Sequence, residues 1–213
     1  MSPSTRLTLL DIGNMADIVL FHPARGLRPG VLAAAERLRA AGHTVHAPDY
    51  YDGEVFDDPE AGRSKLYDLG ITEIFRRVTA AVTDLPAELV YAGFSLGAGA
   101  AQQLAATRPG ARGAILMHGA FPIEAIGAGN WPPTVPVQVH YAAEDPAVDA
   151  GTVAALGASV RQASADFEEH TYAGSGHLFA DPDLPEYDEV SAELMWDRVL
   201  DFLARVDHTS RTA

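Results

Sequence analysis

Short runs rich in β-branched and aromatic residues alternate with helix-forming stretches along almost the whole chain. This is the pattern of βα units, in which each strand reaches its parallel neighbour through a crossing helix. Strands are expected at Asp17–His22, His43–Ala47, Glu88–Ala92, Arg112–His118, Val135–Tyr141 and Phe167–Tyr172. A further antiparallel strand is a candidate at Leu7–Asp11. Helices are expected at Pro29–Ala41, with Pro early and Gly42 just past the end, and at Leu69–Thr83, Leu96–Thr107, Ala147–Leu156 and Tyr187–Val206. The second of these carries Ile71, Ile74, Phe75, Val78 and Val82 at core spacing. The polar, acid-rich stretch Tyr50–Lys65 reads as a surface loop. No repeat or linker divides the chain, so residues 1–213 are expected to form one domain with a polar tail from about 207. The segment between His118 and Val135 is too short for a cap domain. The expected architecture is α/β: a three-layer αβα sandwich around a mostly parallel sheet, with no separate cap.

Composition narrows the chemistry. Cys is absent, so disulfides and thiolate nucleophiles are excluded and any nucleophile must be oxygen or nitrogen. The formal net charge of −14 repels phosphate backbones and anionic lipid. Nucleic acid and membranes are therefore not expected partners, and a small molecule is. No apolar run approaches a membrane span, and Met1–Asp17, with Arg6 and Asp11, does not read as a signal peptide, so a cytoplasmic location is expected.

Gly93-Phe94-Ser95-Leu96-Gly97 follows an apolar strand and opens a helix. A G-x-S-x-G turn at such a junction pushes the central side chain out of the sheet, and its glycines let neighbouring backbones approach closely. The helix behind Ser95 aims free N–H groups at the reacting centre. A serine hydroxyl needs a base, and His177 stands in Gly174-Ser175-Gly176-His177, just after the last strand. Asp145, after the Val135–Tyr141 strand, lies between them in the chain order Ser, acid, His. Asp145 before Pro146 also suits a helix N-cap, and Glu144 and Asp149 are rival acids. Oxyanion donors are expected from the N–H groups of Leu96 and of Ala24, in the loop after the first strand; Pro23 has no N–H to offer. Arg25, Tyr50, His118, Phe121 and Trp131 are candidate substrate-binding residues. The other histidines show neither zinc spacing nor clustered carboxylates, so no metal and no cofactor is expected.

With these residues placed, the chain resembles the dienelactone hydrolase family of α/β hydrolases. The likeness rests on Gly26, on Ala47-Pro48-Asp49-Tyr50-Tyr51, on Gly93-Phe94-Ser95-Leu96-Gly97, on Asp145 and on Gly176-His177-Leu178-Phe179. It implies a compact, cofactor-free esterase or lactonase. Three departures stand out. The family's enzymes use Cys where this chain has Ser95. They carry a Glu in the first loop where Pro23 or His22 stands, and an Arg four residues beyond the catalytic His where Asp181 stands. The expected function is hydrolysis of small, uncharged esters or lactones through an acyl-enzyme. Alternatives are a thioesterase or perhydrolase on the same three residues, or a non-catalytic binding protein that keeps the fold.

Overall fold

The computed structural model describes residues 15–210. Six strands form one sheet: β1 (Asp17–Phe21), β2 (Thr44–His46), β3 (Val90–Phe94), β4 (Gly113–Met117), β5 (Val137–Ala142) and β6 (Phe167–Tyr172). Their order is β2-β1-β3-β4-β5-β6, and every neighbouring pair is parallel. The helices are α1 (Pro29–Ala40), α2 (Pro59–Leu69), α3 (Ile71–Ala81), α4 (Leu96–Thr107), α5 (Ala150–Gln162) and α6 (Glu189–Ser210).

Strands β3, β4 and β5 are buried at every position because both faces of the sheet are covered. Val19, Phe21, Tyr91, Leu116 and Val139 share one core with Ile74 and Val78 of α3, Leu104 of α4 and Leu156 of α5. Ile18, Leu20, Val90, Ala92, Ile115 and Met117 pack instead with Leu38 of α1 and with Met195 and Leu203 of α6. Alternation along a strand thus feeds two cores, which makes the three-layer αβα sandwich. Between β4 and β5 the chain forms only a 3₁₀ turn, Ile123–Ile126, and builds no cap layer. Because all six strands run the same way, the loops after β1, β3, β4, β5 and β6 gather at one edge. The strand order reverses between β1 and β3, and the crevice there is where such sheets hold ligands.

The structure departs from the sequence expectation in four places. The stretch read as a loop over Tyr50–Lys65 contains the start of α2, capped by Asp58, whose side chain accepts the Glu60 N–H at 3.0 Å, with Pro59 at the first helical position. The helix read as Leu69–Thr83 is broken at Gly70, whose φ of 74° ends α2 before α3 begins. Helix α5 starts at Ala150 rather than Ala147 because Asp149 caps it, accepting the N–H groups of Gly151 and Thr152. Helix α6 continues to Ser210, past the expected tail boundary. The candidate strand at Leu7–Asp11 lies outside the described residues.

Three histidines are enclosed by this packing: His22, His118 and His140 are at most 1% exposed. Burial pushes His22 down to about 4 and drives His118 and His140 well below the ordinary imidazole value. In the unfolded chain each takes up a proton near pH 6.5. Folding stability is therefore fully present above that pH and falls as the pH drops towards 4. The slope should be as much as about 1.4 kcal/mol per pH unit for each histidine. Urea unfolding at pH 7, 6 and 5 should show this decline; a midpoint unchanged across that range would refute it.

Candidate active site

The β3–α4 junction is shaped by what its residues lack. Ser95 sits at φ 53°, ψ −112°, a sparsely populated conformation for a residue with a side chain. A Cβ on Gly93 would lie 2.0 Å from the carbonyl oxygen of Gly97. A Cβ on Gly97 would lie 2.3 Å from the carbonyl oxygen of Phe21. Glycine is thus required on both sides of the turn, first for α4 to fold back on β3 and then for α4 to sit on β1. The turn is held by the Ser95 N–H donating to Met117 O at 2.8 Å and by Ser95 O accepting from Ala98 N at 2.8 Å.

Two neighbouring loops bring the acid and the histidine to this turn. Ala143 N donates to Tyr172 O (2.7 Å) and Glu144 N to Gly174 O (3.0 Å), which laces the loop after β5 to the loop after β6. His177 Nδ1 lies 2.7 Å from Asp145 Oδ2, and its Nε2 lies 2.8 Å from Ser95 Oγ. A Ser hydroxyl donating to Nε2 and an Nδ1–H donating to the carboxylate satisfy both contacts with a neutral ring. Asp145 is buried, and its Oδ1 accepts the Ala147 N–H at 2.9 Å, so one carboxylate turns the local backbone and orients the imidazole. The rival acids are occupied differently: Asp149 caps α5 and Glu144 is solvent-exposed. Glu186, not singled out in the sequence, anchors the histidine loop by accepting the Leu178 N–H at 2.9 Å.

Ser95, Leu96, Ala24, Asp145 and His177 border one open cleft of about 840 Å³. Leu96 is the first residue of α4, where an N–H has no acceptor within the helix. The Ala24 N–H makes no hydrogen bond within the described residues. Arg25, His118 and Phe121 line the same cleft. The Arg25 guanidinium, however, donates to the carbonyl oxygens of Phe56 and Asp57. His118 holds its ring between Phe94 and Phe179, with both ring nitrogens buried and unpartnered.

Tyr50 and Trp131 do not reach the cleft. The Tyr50 ring is buried against His22, with its hydroxyl donating to the His22 carbonyl. Trp131 lies in the core, its indole N–H donating to Val135 O at 2.8 Å. Their polar tips are satisfied by backbone, which frees each aromatic body to fill the interior. Besides Glu186, a second contributor escapes the sequence reading. Gly62, in the middle of α2, lets that helix approach the first loop so closely that a Cβ there would lie 2.5 Å from Ala24 O.

A sequence model of the dienelactone hydrolase family matches residues 12–207. The chain belongs to the dienelactone hydrolase family. A protein of Saccharolobus solfataricus, provisionally named a carboxymethylenebutenolidase, is 36% identical over 121 residues. That alignment takes in 56% of this chain and 45% of the relative, so the chain spans less than half of that relative's length. Among solved structures, a dienelactone hydrolase-like promiscuous phosphotriesterase from metagenomic libraries is 25% identical, with a TM-score of 0.77. The superposition covers 91% of this chain and 87% of that one. An esterase of the planctomycete Thermogutta terrifontis, solved with propionate bound, has a TM-score of 0.64 at 16% identity, over 92% of this chain and 85% of its own. That likeness bears on the fold alone, and the fold is that of the α/β hydrolases.

The glycine constraint can be measured directly. Gly97→Ala should lower folding stability by about 3 kcal/mol, because backbone carbonyls cannot yield as side chains do. Gly129, around which a Cβ would meet nothing within 4 Å, supplies the control. Gly129→Ala should stay within about 0.5 kcal/mol. Equal urea midpoints for the two variants would contradict the packing argument.

Proposed function

We propose that this dienelactone hydrolase family member is a serine hydrolase that cleaves small, uncharged carboxylic esters or lactones through an acyl-enzyme. The observation that carries the reading is the continuous hydrogen-bonded line Ser95 Oγ–His177 Nε2 and His177 Nδ1–Asp145 Oδ2 at the cleft floor. In the reaction Ser95 Oγ attacks the ester carbon while its proton passes to His177 Nε2. Asp145 holds the ring with Nε2 facing Ser95 and stabilises the imidazolium that forms. The N–H groups of Leu96 and Ala24 receive the developing oxyanion, and removing one such donor typically costs about 10²–10³ in turnover. His177 returns its proton to the leaving oxygen, and water, activated by the same ring, releases the acid and restores Ser95. His118 is not a rival base: it makes no hydrogen bond to Ser95, and burial disfavours the imidazolium that a base must become.

Ser95→Ala should leave a folded protein whose esterase activity on a short-chain aryl ester is lower by about 10⁴–10⁶. An organophosphonate should label the wild type at Ser95 and leave the variant unlabelled. Asp145→Asn should lose orders of magnitude in turnover, whereas Asp149→Ala should lose only its helix cap, about 1 kcal/mol of stability. If Asp149→Ala abolished turnover and Asp145→Asn did not, the acid would be misassigned.

The preference for uncharged substrates follows from where the cations are. Asp181 stands where the family resemblance calls for a carboxylate-binding Arg. Its carboxyl lies over Gly30, in the first turn of α1, where a Cβ would meet it at 2.0 Å. Arg25 is turned to backbone carbonyls, and Arg63 pairs with Glu60. A substrate carboxylate in the cleft would lack a fixed partner, and an uncompensated buried charge costs several kcal/mol. kcat/KM for a neutral ester should therefore exceed that for the same ester bearing a free carboxylate, at least tenfold. A preference for the charged substrate that Arg25→Ala abolished would locate an anion site at Arg25 instead.

A further inference from the structure

We infer that His22 is a positioning residue for the oxyanion donor: its Nδ1–H pins the carbonyl of the Pro23–Ala24 peptide so that the N–H of the same peptide is presented to the cleft. The inference rests on the serine hydrolase reading above and assigns a task to a buried group that the mechanism leaves unused. His22 follows β1 directly and is completely buried. Its Nδ1 lies 2.8 Å from Pro23 O, and its Nε2 lies 3.3 Å from Tyr50 N. A backbone N–H can only donate, so Nε2 carries the lone pair and Nδ1 carries the proton.

The neighbours keep that tautomer in place. Asp49 Oδ1 stands 3.5 Å from Nε2, beyond a good hydrogen bond, and accepts the Tyr51 N–H at 2.8 Å. With burial holding the imidazole at about 4, the ring is neutral and the contact with Asp49 is not an ion pair. The Tyr50 ring stacks on His22 at 3.7 Å with only 9° between the planes, and the Tyr50 hydroxyl donates to His22 O. Tyr51 closes the imidazole's edge at 5.1 Å. The ring has no room to turn.

The consequence for catalysis comes from peptide geometry. Pro23 O and the Ala24 N–H belong to one planar trans unit and point in opposite directions. Pro23 O accepts two hydrogen bonds, from His22 Nδ1 and from Gly26 N at 3.0 Å, which uses both lone pairs. Fixing the oxygen fixes the N–H, and Ala24 lines the cleft beside Ser95 with that N–H unengaged. The same bonds polarise the amide and strengthen its N–H as a donor. Such an effect is expressed where negative charge develops, so it belongs to kcat rather than to KM.

The test uses three variants of the full chain, with kcat and KM for a neutral short-chain aryl ester and inhibition by phenylboronic acid. His22→Leu removes the donor and should lower kcat by about 10–100-fold, a fraction of what loss of a whole oxyanion donor costs, with KM within about threefold. Its boronate affinity should fall in step. His22→Asn places an amide N–H near the Nδ1 position and should recover most of kcat. His22→Gln reaches the Nε2 position instead and should not, which keeps the comparison decisive if the Leu variant fails to fold. Equal kcat for the Asn and Gln variants, or kcat and KM falling together in both, would overturn the inference. Failure of the underlying reading has a different signature, namely full esterase activity in Ser95→Ala.

Discussion

The backbone at Ser95 is the constraint on which the rest of the molecule depends. A residue with a side chain at φ 53°, ψ −112° costs about 1–3 kcal/mol and persists only where its surroundings leave no alternative. Here they leave none. Gly93 lets α4 double back on β3, Gly97 lets α4 rest on β1, and the Ser95 N–H is tied to Met117 in β4. Three adjacent strands and one helix therefore fix one hydroxyl. The parallel direction of the sheet does the rest, because it sends the loops carrying Ala24, Asp145 and His177 to that same edge.

Helix α2 shows how a weakly anchored element can still shape the site. It buries only Gly62, yet that glycine seats it against the carbonyl of Ala24. A glycine inside a helix costs about 1 kcal/mol relative to alanine, and close approach to the first loop is what compensates here. The same helix and the start of α3 present Leu66, Tyr67 and Ile71 to the cleft, and Tyr67 and Ile71 are exposed. This side of the cleft is therefore largely apolar, with Arg63 beside the apolar side chains.

What the sequence made legible follows from how many constraints acted on each segment. The inner strands stand out because burial on both faces demands nearly continuous apolar runs, as in DIVLF and VYAGF. The edge strands TVH and FEEHTY are partly exposed and carry their signal in β-branched and aromatic residues. Ser95, Asp145 and His177 were recognisable from loop glycines and chain order, and in the structure their side chains form one hydrogen-bonded line. Helix α2 is hidden because it is the most polar of the helices and buries only Gly62; Asp58-Pro59-Glu60 is its start signal, and acids and a proline also suit a loop. Tyr50 and Trp131 were misplaced because an aromatic near a strand end looks the same in sequence whether it faces ligand or core. The start of α5 turned on a choice between two acids, Asp145 before Pro146 and Asp149 before Ala150. Chain order points the first at His177, and the packing adds that the second, not the first, caps the helix.

The acidic excess takes on a specific meaning around the cleft. Surface ion pairs contribute little to stability, so the pairs formed by the segment 52–60 matter for the potential they cancel. Asp52 pairs with Arg77, Glu54 with Lys65, Asp57 with Arg28 and Glu60 with Arg63, while the carbonyls of Phe56 and Asp57 take Arg25. One short polar stretch thus engages five cations around the first loop, α2 and α3. Of the two that border the cleft, Arg63 is paired with a carboxylate, while Arg25 is held by neutral carbonyls and keeps its charge at the first loop. In a chain of net charge −14, a cleft whose bordering cations are both tied to the protein suits the neutral ester proposed above. On the reaction proposed above, the developing charge falls on one oxygen, which the Leu96 and Ala24 N–H groups, rather than a mobile cation, would receive.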